Sequence, residues 1–202
     1  MEIKYNLLPK LKTRKHNLRV EIDLYPYATE LYEELNSIGI IERVKEIPQL
    51  GVIKVKKKLE KTRFDYAMLQ LYLHKLIKNH LQGDLRFTYN NYINSKEFRD
   101  DYVYSDKKNK PSMGDILQLL TIVYNVGHFY NTFTASRAIT MLAEEDIAFR
   151  DVVINACKDE RYQCAAKTIL DSKNYQRLHL LNSILILEQC DKSKQSISVA
   201  LE

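Results

Sequence analysis

The chain has no tryptophan and, in 202 residues, only five glycines and four prolines. So few turn-forming residues leave little room for the repeated tight reversals of a sheet-rich fold, and helices are the expectation. No run of 18 apolar residues is present, so no membrane span is expected. The opening Met1-Glu2-Ile3-Lys4 lacks the apolar stretch and small-residue cleavage site of a secretory signal. Cysteine is scarce: Cys157, Cys164 and Cys190 are odd in number and show no Cys-x-x-Cys spacing. That pattern fits reduced thiols in a cytoplasmic protein. No serine sits in a Gly-x-Ser-x-Gly setting, no cysteine has a local base, and there is no Gly-rich phosphate loop. Nucleophilic catalysis and P-loop chemistry therefore have no footing.

What is present is an ordinary globular composition, 45% hydrophobic and 28% charged, long enough for one domain. The net charge of +5 is unevenly spread. Residues 1–20 carry Lys4, Lys10, Lys12, Arg14, Lys15 and Arg19 against Glu2 alone. Residues 51–63 carry Lys54, Lys56, Lys57, Lys58, Lys61 and Arg63 against Glu60. Such segments meet phosphates, nucleic acid or an acidic partner, or are simply solvated faces.

Along the chain, residues 1–27 read as a polar, basic segment interrupted by Pro9, with a short strand at Val20–Leu24. Leu31, Leu35, Ile38, Ile41 and Val44 suit a helix, or two short helices broken at Gly39. Residues 50–55 could supply a second strand. Thr62 with Asp65 three positions on reads as a helix start, and that helix ends near Gln82-Gly83. Residues 84–112 form a polar excursion, with a short helix around Ser95 to Asp101. From Asp115 the run Ile116, Leu117, Leu119, Leu120, Ile122, Val123 and Val126 leaves almost no polar face, which predicts the most buried helix of the chain, at its centre and ended or bent at Gly127. Helical spacing returns at 135–143, 147–157, 162–170 and 175–190. Residues 191–202 read as a tail, with Leu201-Glu202 resembling the scar that precedes an affinity tag.

One arrangement carries more information. Gln49-Leu50-Gly51 is followed by Thr62-Arg63-Phe64-Asp65-Tyr66 at a helix start, and a buried helix later ends Tyr124-Asn125-Val126-Gly127-His128. The order and spacing resemble the HD-domain phosphohydrolases, in particular the branch with deoxynucleotide triphosphohydrolases, over roughly residues 35–135. There a Gln-Leu-Gly segment precedes Thr/Ser-Arg-Phe-Glu-His, and a buried helix ends His-Asp-Ile/Leu-Gly-His. The resemblance implies an all-α or nearly all-α fold with a five-helix HD-like core within residues 28–190, to which the residue pattern adds a short strand pair near 20–24 and 50–55.

The same resemblance places the family's metal-binding His on Tyr66 and its His-Asp pair on Tyr124 and Asn125. A further leaving-group His falls near Phe133, and for the closing Asp, Asp146, Asp151 and Asp171 are all open. A hydrolytic ion needs several imidazoles and carboxylates and an open position for water. Two phenols that titrate near ~10 and a neutral amide do not supply them. The implied protein is a catalytically degenerate binding or regulatory module without metal or other cofactor. Arg63 and His128 survive, and the resemblance implies that they face a pocket for a nucleotide or other phosphorylated ligand. Arg suits phosphate because its planar fork donates two parallel hydrogen bonds. The structural alternative pairs Arg63 with Asp65 or Asp115, lets His128 cap the buried helix, and uses Tyr66 and Tyr124 as filler bonded to Asn125 or to each other.

Two other functions stay open: an active phosphohydrolase with an atypical metal site, and a helical protein–protein interaction domain with a protein partner or a second copy. Nucleic-acid binding would draw on Tyr89, Tyr92, Tyr102 and Tyr104 beside Lys107, Lys108 and Lys110, diluted by Asp100, Asp101 and Asp106. His74 and His80 lie six apart, which misses the usual metal-binding spacing of four. His179, in an apolar stretch, reads as a satisfied core histidine.

Overall fold

In a computed structural model, residues 1–6, 19–49, 61–82 and 111–201 are described. The expected strand at 50–55, the excursion at 84–110 with its tyrosine–lysine cluster and short helix, and eight of the twelve Lys and Arg residues of the two basic segments lie outside them. Among the described residues the protein is mostly helical, with nine α-helices and a two-stranded antiparallel sheet at the N-terminus. No helix is long and apolar enough to cross a membrane, among the residues described.

β1 (Glu2–Asn6) pairs with β2 (Arg19–Asp23), Lys4 opposite Glu21 and Tyr5 opposite Val20. The strand predicted at 20–24 forms, and its partner is the stretch read from sequence as merely polar and basic. Alternation explains this: Ile3 and Tyr5 turn toward the core while Lys4 points outward, 4.0 Å from the Glu21 carboxylate. A run of five residues with only two apolar side chains gives too faint a period to recognise without its partner.

α1 (Pro26–Ser37) starts with proline in its first turn, where a missing N–H costs nothing, and buries Ala28, Leu31 and Leu35. The break foreseen at Gly39 is real: its φ of +78 is left-handed, and α2 (Ile40–Glu46) follows at once. Residues 47–49 and 61–63 then lie alongside each other, with Arg63 N donating to Ile47 O at 2.8 Å. α3 (Arg63–Gln82) begins there, capped as expected: Thr62 N donates to the Asp65 carboxylate at 2.6 Å, and Asp65 N to Thr62 Oγ1 at 3.2 Å.

α4 (Met113–Val126) starts with a second capping box, Ser112 and Asp115. It packs against α1, α2 and α3, so it is central. It is not, however, buried on all sides. Ile116, Leu120 and Tyr124 are exposed, whereas Asp115, Gln118, Thr121 and Asn125 are buried. The polar side chains go inward because they serve backbone groups there. Gln118 accepts from Tyr25 N at 2.8 Å and donates to Asp23 O at 2.9 Å, and Asp115 accepts from Tyr27 N. These bonds pin the strand-to-helix turn to the helix, and each satisfies a group that would be costly to bury alone.

α5 (Thr132–Glu145), α6 (Ile147–Asn155), α7 (Glu160–Asp171), a 3-10 turn (Tyr175–Arg177), α8 (Leu178–Leu187) and α9 (Gln195–Leu201) complete the chain. They build a second apolar cluster, with Ala143, Cys157, Ala166, Leu170, Leu178 and Leu181 at its centre. α8 joins the two clusters, since its far end, Ile186 and Leu187, belongs to the first. Residues 195–201, read from sequence as part of a tail, form a helix whose Ile197 is fully buried in that first cluster.

Candidate functional site

The close of α4 meets the start of α8 with almost no space between them. A Cβ on Gly127 would lie 1.9 Å from His179 O and 2.2 Å from Ser183 Oγ, so only glycine allows this approach. The free carbonyls at the helix end are then taken by side chains. Ser183 Oγ donates to Val123 O at 2.7 Å and Asn182 Nδ2 to Gly127 O at 2.8 Å. Arg43, from α2, donates to Val126 O at 2.8 Å and to His128 O at 2.6 Å. A cation at a helix C-terminus also meets the negative end of its dipole. The helix is thus capped by Arg43, Asn182 and Ser183, and the His128 side chain takes no part.

That side chain instead stacks on His179. The two ring centroids are 4.3 Å apart and the planes 9° from parallel. Tyr124 places its ring edge-to-face with both, 4.6 Å from His179 and 5.9 Å from His128. Both histidines are buried while Tyr124 is half exposed, so the phenol ring borders the pair on its solvent side. His179 Nδ1 lies 2.7 Å from Gln176 O, which requires the proton on Nδ1 and leaves Nε2 as a bare lone pair in the neutral ring.

Around this stack the polar atoms are unusually poor in partners. His128 Nδ1 and Nε2, His179 Nε2, Arg63 Nε and Asn125 Oδ1 are all buried without a hydrogen bond. Native interiors leave few such atoms, and their convergence on one place calls for an explanation. Arg63 pairs with neither Asp65 nor Asp115 and has no ion pair among the described residues. Asp65 is occupied at the α3 cap and Asp115 at the α4 cap. Burial lowers the Arg63 pKa, and the nearby hydroxyls of Tyr124 and Tyr66 act in the opposite direction. Burial, followed by the charges of Arg63, His179 and Arg43, drives the His128 pKa down to about 3. His179 is lowered as well, chiefly by burial, then by Arg63 against the opposing bond to Gln176.

Of the residues singled out from sequence, Arg63, Tyr66, Tyr124 and His128 share this neighbourhood. Asn125 is buried on the same helix turn and donates to Gln70 Oε1 at 2.9 Å and Thr121 O at 2.8 Å. Among the described residues, neither tyrosine hydroxyl bonds Asn125 or the other tyrosine. His179 was the residue missed. It is buried, as a core histidine would be, but only one of its nitrogens is satisfied. Nothing in its local sequence signals the difference, because the partner ring lies 51 positions earlier and arrives only through the Gly127 contact.

Among the described residues, the donors around this stack do not suit a resident metal ion. Among the described residues no three His, Cys, Asp or Glu side chains cluster to hold one. Two stacked imidazoles cannot both aim an in-plane lone pair at one ion about 2.1 Å away, because nearly parallel planes share no such point. What the arrangement can offer is a guanidinium fork and up to three ring nitrogens. Comparison with protein-family models, with curated proteins and with solved structures gives no match.

Proposed function

We propose that this chain is a binding or regulatory module, a catalytically degenerate relative of the HD phosphohydrolases, whose site at Arg63, His128 and His179 takes a phosphorylated small molecule such as a nucleotide. One observation carries the reading: a partly buried guanidinium without a counter-ion beside two buried imidazoles with three unbonded nitrogens. A buried charge is ordinarily paired, and an uncompensated one destabilises a fold by several kcal/mol at the extreme, roughly. A phosphate group supplies the missing charge and accepts the bidentate fork.

The imidazoles set a condition on that ligand. His179 Nε2 is an acceptor in the neutral ring, so it meets either a phosphate hydroxyl or, after protonation, an anionic oxygen. Binding is therefore linked to proton uptake, and it strengthens as pH falls toward the region where His titrates. The three free cysteines fit the reducing cytoplasm.

A thermal-shift panel of nucleotides, pyrophosphate and inorganic phosphate tests the module, with Arg63→Ala as comparison. A ligand at 100 times its dissociation constant adds about 2.7 kcal/mol of stability. Loss of that shift in Arg63→Ala supports the site; no shift with any member, or an equal shift in the variant, removes it. Phosphate release with Mg²⁺ or Mn²⁺ that Asn125→Ala abolishes would install the active hydrolase instead.

A protein–protein interaction domain is favoured by a separate feature. Leu69, Leu73 and Leu76 on α3, and Ile116 and Leu120 on α4, are exposed at helical spacing. Concentration-dependent sedimentation that Leu73→Glu abolishes would support that reading through a second copy of the chain.

A further inference from the structure

The nitrogen atoms of the His128–His179 stack restrict the kind of phosphate group that can sit against them. His179 is the fixed member. Its Nδ1 lies 2.7 Å from Gln176 O, and a carbonyl only accepts, so the proton is on Nδ1 and the buried Nε2 carries a lone pair. His128 in its neutral ring has one N–H and one lone pair, and neither nitrogen is bonded. Arg63 Nε adds a buried donor. Two kinds of partner are therefore required at once: acceptor oxygens for Arg63 and His128, and a hydrogen for His179 Nε2.

The stack suits a group whose atoms are spread out rather than a point. Its ring planes are 9° from parallel with centroids 4.3 Å apart, so no single atom lies in both planes at bonding distance. The oxygens of a tetrahedral anion are separate points, and each can lie in the plane of a different ring. The rings also resist taking the hydrogen for themselves. Burial opposes a charge on both, and Arg63 from α3 opposes it again. Arg43 from α2 acts on His128 in the same direction. A hydrogen shared with a ligand oxygen thus stays with the ligand.

Given a phosphate-binding site here, we propose that it selects a terminal phosphate that still carries a hydroxyl, with P–OH donating to His179 Nε2 while the other oxygens accept from Arg63 and His128. The ligand class is then a phosphate monoester or the end of a polyphosphate chain. A monoester gives up its second proton near pH ~6, so the protonated form is within reach at neutrality. A diester, such as a cyclic nucleotide or a nucleic-acid backbone, has no such hydroxyl. Neither has sulfate, which matches phosphate in shape and stays doubly charged. On charge alone sulfate would bind at least as well. Against it, however, the Nε2 lone pair meets an oxygen lone pair, and a buried acceptor is left unsatisfied.

Isothermal titration calorimetry of the full chain with inorganic phosphate, methyl phosphate, dimethyl phosphate and sulfate tests this, at neutral pH and matched ionic strength. Arg63→Ala is the comparison. Phosphate and methyl phosphate should bind saturably and lose that binding in the variant. Sulfate and dimethyl phosphate should bind about tenfold more weakly, or worse, the equivalent of one buried acceptor left unmet. Imidazole nitrogen NMR should show His179 still neutral, with its proton on Nδ1, when phosphate is bound. Equal affinity for phosphate and sulfate, both lost in Arg63→Ala, overturns the hydroxyl requirement and leaves the phosphate site standing. A bound state with protons on both nitrogens of His179 overturns it as well, because the hydrogen then belongs to the ring. No saturable binding of phosphate or methyl phosphate overturns the hydroxyl requirement and the phosphate site together. If Arg63→Ala does not fold, the nitrogen shifts of His128 and His179 in the unaltered protein decide whether the anion sits at the stack.

Discussion

The imidazoles of His128 and His179 lie face to face, 4.3 Å between centroids, in a place where neither ring gains by taking a proton. Burial opposes the charge on each, and Arg63 stands near both. This contact ties the end of α4 to the start of α8, and acid should weaken it.

The unfolded chain titrates these rings near ~6.5, whereas folded His128 does so at about 3. Between those values the unfolded state binds more protons, so stability is complete above neutrality and falls as pH drops through the unfolded value. His128 alone should account for a loss of about 3 kcal/mol near pH 4.5. His179 and His74, both lowered chiefly by burial, act in the same direction. Asp65, raised chiefly by burial, acts in the opposite one, so the comparison with His128→Gln is what isolates the effect. Urea unfolding across this range should show a clearly shallower decline in that variant. Parallel profiles would mean that the ring is not held neutral by its surroundings.

Arg63→Ala should remove ligand binding without harming the fold. The guanidinium is partly buried, carries no ion pair among the described residues and has an unsatisfied Nε. Deleting it should leave unfolding free energy unchanged or raise it by up to about 1 kcal/mol. A loss of more than that, measured by urea, would reveal a structural duty for the charge and weaken its assignment to a ligand.

Gly127→Ala should be among the most damaging single changes. The added methyl meets His179 O, Ser183 Oγ and Ser183 N, two of which are backbone atoms. Neither helix can yield without breaking the bonds from Asn182 and Ser183, so a cost of about 3 kcal/mol or more is expected in urea unfolding. A cost below about 1 kcal/mol would mean that α4 and α8 are packed less closely.

Glu188 is a buried carboxylate at the close of α8 that accepts from Lys158 N at 3.0 Å and Asp159 N at 3.3 Å, where α7 begins. Glu188→Gln keeps the shape but replaces one acceptor oxygen by an NH2 group. A loss of about 1–3 kcal/mol should follow, and Glu188→Ala should lose more. Hydrogen exchange at Lys158 and Asp159 should quicken first, which separates this local cause from general loosening.

Much of the helical layout was legible because it depends on neighbours in sequence. Gly39 as a break, Thr62 with Asp65 as a cap, and the four late helices follow from spacing and capping chemistry, which act within a few residues. The misread elements needed a partner to make sense. Glu2–Asn6 is a strand only because Arg19–Asp23 lies beside it. Asp115 and Gln118 point inward because the turn at residues 23–27 presents backbone groups for them to bond.

The candidate site divides along the same line. Arg63, Tyr66, Tyr124, Asn125 and His128 could be named from the sequence, since two short segments carry the resemblance that singles them out. His179 could not, nor could the capping role of Arg43, because each acts on a partner dozens of residues away. The sequence by itself determined which segments coil into helices, since propensity, capping and apolar period are local properties. Only the tertiary structure decided which polar groups would be left without partners, because satisfaction of a buried nitrogen depends on what packs against it, and α8 reaches α4 only where a glycine leaves room.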